Sequence, residues 1–287
     1  MKIINTFIFG ILAYLCLVSC EKGDSLKGIG FQIIFSDGTT ISENDIQFYD
    51  TSAHILFLKE KIISKKGNFE VRVGNELIYQ GEVFPAYYSS MPKKPIFIYE
   101  TSSNGRDMID FICLQESFDF RNDPRIINAL KKSDLIHYGL HCKIDDIRVS
   151  SNTNNSSVIC KITVKNNDNF SYYIIDPAKM GEIQFNYYTS GIFFTNLSTK
   201  SNSFLQWSNS NTDYYNIDMN DLSILEAGQE IKYTFSSSDY SKMEKGVYKA
   251  VFRFQGFNDT ESIDLNQSNG RIWIGSLYSV KNDIVVN

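Results

Sequence analysis

The stretch VICKITVK, Val158 to Lys165, constrains the fold more than any other part of the chain. Val158, Cys160, Ile162 and Val164 alternate with Ile159, Lys161, Thr163 and Lys165. Successive side chains point to opposite faces in an extended strand, so a period of two marks a strand with one buried face. Asn166-Asn167-Asp168-Asn169 then supplies turn residues. A chain made of such pieces must pair them into sheets and cover one face of each.

The same signature recurs along the chain. Candidate strands in the first half are Phe31–Phe35, Ile46–Tyr49, His54–Leu58, Phe69–Val73, Leu77–Phe84, Ile96–Tyr99 and Met108–Leu114. Gly74-Asn75-Glu76 joins two of them as a hairpin. One helix is expected, with Asp123 as cap, Pro124 in the first position and Ile126, Ile127 and Leu130 as its apolar stripe; Gly139 lies past its end. In the second half, strands are expected at 141–149, 158–165, Ile231–Phe235, Val247–Phe254 and Asp283–Val286. Asn269-Gly270 suits a hairpin turn between Ser262–Leu265 and Arg271–Ile274. Aromatic residues make up 14% of the chain and prolines number only 5, a balance that favours strands.

Met243-x-x-Gly246-x-Tyr248 resembles the tyrosine corner of immunoglobulin-like and fibronectin-like sandwiches, in which a tyrosine hydroxyl turns back onto the corner backbone. The resemblance implies a structural role for Tyr248. The run of strand, Leu225-x-x-Gly228, strand and Gly246-x-Tyr248 is also loosely similar to proteinase-inhibitor and transglutaminase-associated sandwich families. The expected fold is therefore mainly β. A β-rich (α+β) domain over 29–136 ends in one helix, and an immunoglobulin-like β-sandwich follows over 137–287.

The N-terminus carries a different signal. Lys2 precedes an apolar run from Ile3 to Val18, broken only by Asn5 and Thr6. It falls short of the ~20 residues that span a bilayer and has the form of a secretory signal. Leu17-Val18-Ser19-Cys20 resembles the lipobox of bacterial lipoproteins. That resemblance implies a signal peptide over 1–19, a lipidated tether over 20–28, and attachment to the membrane through acyl chains on Cys20. Glu21, where an aspartate would mark inner-membrane retention in that family, implies the outer membrane. The charged stretch Glu21–Asp24 also occurs in lipoproteins displayed at the surface.

Lys and Arg total 28 against 33 Asp and Glu, a net charge of −5, so no nucleic-acid partner is expected. Beyond Cys20 the cysteines are Cys113, Cys142 and Cys160, an odd number that argues against a disulfide framework. If Val149 faces Val158 across a hairpin, Cys160 faces Ile147 and cannot reach Cys142. Buried free thiols are expected, and a bridge stays open if the two runs lie in different sheets.

Catalytic constellations are missing from the sequence. His137 and His141 have a helical zinc spacing and Cys142 is adjacent, but Gly139 interrupts them and no HExxH or CxxC accompanies them. No metal is expected. Asp264-x-Asn266-x-Ser268-Asn269-Gly270 misses a calcium loop because its glycine is one place late. Gly28-Ile29-Gly30 lacks the third glycine of a nucleotide loop. Asp145 and Asp146 would point to opposite faces of a strand. No catalytic residue and no cofactor are assigned. The tyrosine doublets Tyr87-Tyr88, Tyr172-Tyr173, Tyr187-Tyr188 and Tyr214-Tyr215 each place one ring outward if extended. Trp207, Tyr214 and Tyr215 bracket a polar loop and form the candidate ligand site for an envelope protein or a glycan. The expectation is a lipid-anchored, non-catalytic envelope protein serving binding, adhesion or assembly. A proteinase inhibitor acting through a sandwich loop is the first alternative, and an unrecognised hydrolase the second.

Overall fold

The computed structural model describes residues 30–60, 67–85, 91–99, 108–114, 119–179, 190–203, 219–257 and 265–287. The chain divides into two compact units. One holds residues up to Gln47 together with Leu58–Leu135; the other holds Phe48–Phe57 together with Ile136–Asn287. The division at Leu135/Ile136 lies next to the helix. A single border there is nevertheless insufficient, because ten residues from the first half belong with the second unit.

In the first unit, strands β1 (Phe31–Phe35) and β2 (Thr40–Ser42) form a hairpin. Strands β3 (Ile46–Asp50) and β4 (Ile55–Leu58) lead into the excursion described below. Then come β5 (Gly67–Val73), β6 (Glu76–Phe84), β7 (Ile96–Tyr99) and β8 (Met108–Cys113). The order β2-β1-β5-β6-β7-β8 is antiparallel except for the β6–β7 pair. Val73 pairs with Glu76, so the loop is Gly74-Asn75, with Gly74 at φ 61°. Phe69 is the hub of the core, its ring centroid 6.0 Å from those of both Phe35 and Phe111. It presses on Gly81, where a Cβ would stand 2.0 Å from the ring.

Helix α1 (Pro124–Lys132) follows. The Asp123 carboxylate accepts from the Arg125 amide at 2.9 Å, and Pro124 occupies the first turn, where its missing N–H costs nothing. Ile126 and Leu130, four apart, are its buried residues. It stops well before Gly139. Asp134 takes the left-handed conformation (φ 56°) and the Leu135 amide returns to the Leu130 carbonyl.

The second unit begins with β3 and β4. It resumes with β9 (Ile136–His137), which runs parallel to β3 with Tyr49 opposite Ile136 and Asp50 opposite His137. Its remaining strands are β10 (Leu140–Ser151), β11 (Asn155–Asn166), β12 (Tyr172–Ile175), β13 (Ser190–Asn196), β14 (Asn202–Ser203), β15 (Leu222–Leu225), β16 (Glu230–Ser241), β17 (Gly246–Gln255), β18 (Asn266–Gln267), β19 (Gly270–Ile272) and β20 (Ser276–Val286). One antiparallel sheet has the order β10-β11-β16 and another β14-β13-β17-β20. The two antiparallel sheets form a β-sandwich. A small sheet, β15-β12-β19-β18, accompanies them. The two main sheets meet through aromatic rings. Phe194 and Tyr240 lie edge to face at 5.5 Å, and the Tyr240 hydroxyl donates to the Ile192 carbonyl of the facing sheet.

Register settles the cysteines. Val149 pairs with Val158 and Ile147 with Cys160, while Cys142 pairs with Val164. Cys113, Cys142 and Cys160 are free thiols. Burial pushes both Cys142 and Cys160 up to about 12, which makes them poor nucleophiles. Two expectations need correction. A β-bulge between Ile144 and Asp146 inserts Asp145 as an extra residue, so Ile144 and Ile147 both point inward and Asp145 and Asp146 share the solvent side. The hairpin before β20 turns at Ser268-Asn269 rather than Asn269-Gly270, because Gln267 pairs with Gly270.

Candidate functional site

The residues singled out from sequence fall in different places. Cys20, Trp207, Tyr214 and Tyr215 lie outside the described residues, as do Tyr87-Tyr88, Tyr187-Tyr188 and Asp264. Tyr248 is 3% exposed, and its hydroxyl donates to the Glu244 carbonyl at 2.8 Å, four residues upstream. His137 and His141 do not converge. The His137 ring packs edge-on against Phe48 and Phe170, while His141 is exposed beside Lys165. Among the described residues no three His, Cys, Asp or Glu gather as metal ligands.

Sequence reasoning passed over a buried polar knot in the second unit. It grows from Gly139, which links β9 to β10 at φ 60°. The Gly139 amide donates to Asp168 Oδ2 at 2.8 Å, and the Tyr138 amide to Oδ1 at 2.7 Å. The Tyr172 hydroxyl adds a third donor to Asp168 at 2.6 Å, and His137 Nδ1 lies 3.8 Å away. On the other side of Gly139, a Cβ would meet Ser52 Oγ at 2.1 Å and Asp50 Oδ1 at 2.4 Å. Asp50 Oδ1 accepts from the Ser52 hydroxyl and from the Ser52 and Ala53 amides, and Ser52 Oγ in turn accepts from the Leu140 amide. Asn166, fully buried, bridges to the Phe170, Leu225 and Glu226 carbonyls and holds the Asp168 amide with its own carbonyl oxygen. The Arg271 guanidinium covers the stacked rings of Phe48 and Phe57 at 4.4 and 4.0 Å.

Burial raises the proton affinity of Asp50 against the pull of its Ser52 and Ala53 hydrogen bonds, and the Asp168 charge adds to the rise. Burial also acts upward on Asp168, but the donors from His137, Tyr172, Tyr138 and Gly139 outweigh it and hold that carboxyl below the usual range. Two neighbouring carboxyls pushed apart in this way suit acid–base chemistry. A substrate would still have to reach them, and Asp50 and Asp168 are only 3% and 9% exposed. The donors they hold are backbone amides and hydroxyls of their own fold. The knot fastens the β3–β4 turn to the start of β10 and the β11–β12 loop.

The outward face of the β13-β17-β20 sheet has a different character. On β20, Tyr278, Val280 and Val285 are 61%, 47% and 58% exposed, and Val247 on β17 is 38% exposed. Register brings them into one patch. Val247 pairs with Val285, Val251 with Val280 and Arg253 with Tyr278. The alternate residues Leu277, Ile284, Tyr248, Ala250, Phe252 and Phe254 are buried beneath. These valines and the tyrosine are apolar surface left on the solvent side of a sheet whose other side holds the core, with Lys249 and Arg253 interspersed among them.

No protein-family model matches the chain, and no curated protein matches its sequence.

Proposed function

We propose that this chain is a lipid-anchored, non-catalytic binding or assembly protein of the cell envelope. On this reading Cys20 carries the acyl chains, and the C-terminal sandwich meets a protein partner with the Tyr278–Val280–Val247–Val285 face. The observation that carries the reading is that apolar face, set on the outside of a sheet whose inner side is already filled. Two further features support it. Among the described residues no helix is long and apolar enough to cross a membrane, and on this reading the Cys20 lipid is the attachment. The conspicuous titratable pair, Asp50 and Asp168, is occupied by hydrogen bonds within the fold.

A photo-crosslinking amino acid at position 280, in intact cells, tests the reading. The expected result is a discrete protein adduct that disappears with Tyr278→Ser, while the denaturation midpoint of the purified variant stays unchanged. The same adduct should be lost from the envelope fraction with Cys20→Ala, which releases the chain. No adduct at position 280, or normal processing and membrane retention of Cys20→Ala, would overturn the corresponding half of the proposal.

A further inference from the structure

The opposite sheet of the sandwich presents a groove of about 680 Å³ on its solvent side, formed by β10, β11 and β16. Four lysines surround Thr163 at its centre. Lys161 and Lys165 lie on either side of it along β11, and Lys143 and Lys232 are its register partners on β10 and β16. Strand geometry sets the separations of their backbones. Four residues along a strand span about 13 Å, and two strand spacings about 10 Å. The bulge at Asp145 brings that carboxylate under the groove, where it accepts from the Thr163 hydroxyl at 2.5 Å and lies 3.4 Å from the Lys143 ammonium. Glu230 lies 3.1 Å from Lys232. Among the described residues Lys161 and Lys165 form no ion pair. Among the lining residues four ammoniums meet two carboxylates, and Asp146, opposite Lys161, is paired with Arg148, so a local positive surplus remains on a chain of net charge −5.

We propose that this groove binds an acidic oligosaccharide, a strand of uronate-type sugars whose carboxylates are separated by neutral rings. Charge complementarity selects an anion for the two unpaired lysines. The volume fits a discrete ligand segment rather than a plane of headgroups. Asp145, Glu230 and Thr163 supply acceptors and a hydroxyl for sugar O–H groups, and the two carboxylates would repel a polymer charged at every unit. Lysines about 10 to 13 Å apart match a chain that carries its charges at intervals. The inference concerns a face other than the apolar one and stands whether or not that face binds protein.

Fluorescence anisotropy of a labelled hyaluronan hexasaccharide, in which glucuronates alternate with neutral rings, with the full mature chain tests it, with maltohexaose as the neutral counterpart and inorganic phosphate as competitor. The expected result is binding of the hyaluronan hexasaccharide and not maltohexaose, weakened by salt. Lys161→Gln/Lys165→Gln should weaken it about fivefold, the scale of two exposed ion pairs, and Lys242→Gln/Lys245→Gln should leave it unchanged. Denaturation midpoints of both variants should equal that of the parent. Absent binding, equal loss in both variants, or full displacement by millimolar phosphate would overturn the proposal. So would capture of the Cys20→Ala chain on phosphatidylglycerol vesicles through the same lysines without binding of the hyaluronan hexasaccharide.

Discussion

Replacing Asp168 by asparagine tests the buried knot with almost no change of shape. The aspartate receives the Tyr138 amide on Oδ1 and the Gly139 amide and Tyr172 hydroxyl on Oδ2. Asparagine has one acceptor oxygen and one amino group. In its better orientation the oxygen serves Gly139 and Tyr172, and the amino group faces the Tyr138 N–H, donor against donor. An unmet buried amide costs about 1–3 kcal/mol, and each remaining bond loses its charged acceptor, about 1 kcal/mol apiece. Removing the buried charge returns part of this, since Asp168 also raises the cost of ionising Asp50. The net expectation is about 2–4 kcal/mol lost at pH 7, read from urea denaturation followed by the fluorescence of buried Trp273. The pH profile supplies an independent check. Asp168 has a folded proton affinity below its unfolded one, so its contribution is complete above pH ~4 and is lost as pH falls through the folded value. Asp50 has the opposite sign. Its neutral form is favoured in the fold, so its effect weakens the protein as pH rises from ~4 through its raised folded value. Asp168→Asn should therefore shrink the acid limb, leaving what Asp123 and Asp145 contribute, and make the Asp50 limb shallower. A loss below about 1 kcal/mol with an unaltered acid limb would refute the account of Asp168 as a saturated structural acceptor.

Two other outcomes follow from the sandwich. Tyr248→Phe removes the donor to the Glu244 carbonyl and should cost about 1–3 kcal/mol in the same urea assay; an unchanged midpoint would mean that the hydroxyl contributes nothing to that corner. With a thiol-reactive dye in native buffer, half-buried Cys113 should label first. Cys142 and Cys160 should label only on unfolding, and prompt labelling of either would contradict their burial.

The parts of the fold that were legible in sequence are those where inward and outward residues differ in polarity. Strand β11 alternates cleanly, and with it the Val149–Val158 register that keeps Cys142 from Cys160. Strand β20 was legible only at 283–286, yet it runs from Ser276. Its outward residues Tyr278 and Val280 carry apolar surface while the alternate positions Ser279 and Lys281 are polar, so the period of two is blurred there. A shift opposite Tyr248–Ala250, with Asp283 at φ 60°, broke what remained. The lysine groove was invisible for another reason. Lys143, Lys161, Lys165 and Lys232 come from three strands, and only register makes them neighbours. Asp50 and Asp168 sit in turn-like sequence, where a carboxylate ordinarily meets water. Their burial depends on Gly139, whose missing Cβ leaves room for Asp50 and Ser52.

The excursion of residues 48–57 into the second unit carries a consequence for how the chain assembles. Tyr49 and Asp50 are made early, but their β9 partners Ile136 and His137 come only after the first unit has been made. The first unit can condense on short-range hairpins such as β5–β6, whereas the second must close a loop that contains most of the first. Such non-local pairing is slow to form. Sequence order and assembly order therefore differ, because residues 48–57 are made within the first unit but must wait for the second. A nascent chain halted before residue 136 would hold Phe48 and Phe57 without the Arg271 that covers them, an apolar surface of the kind that draws chaperones or aggregates.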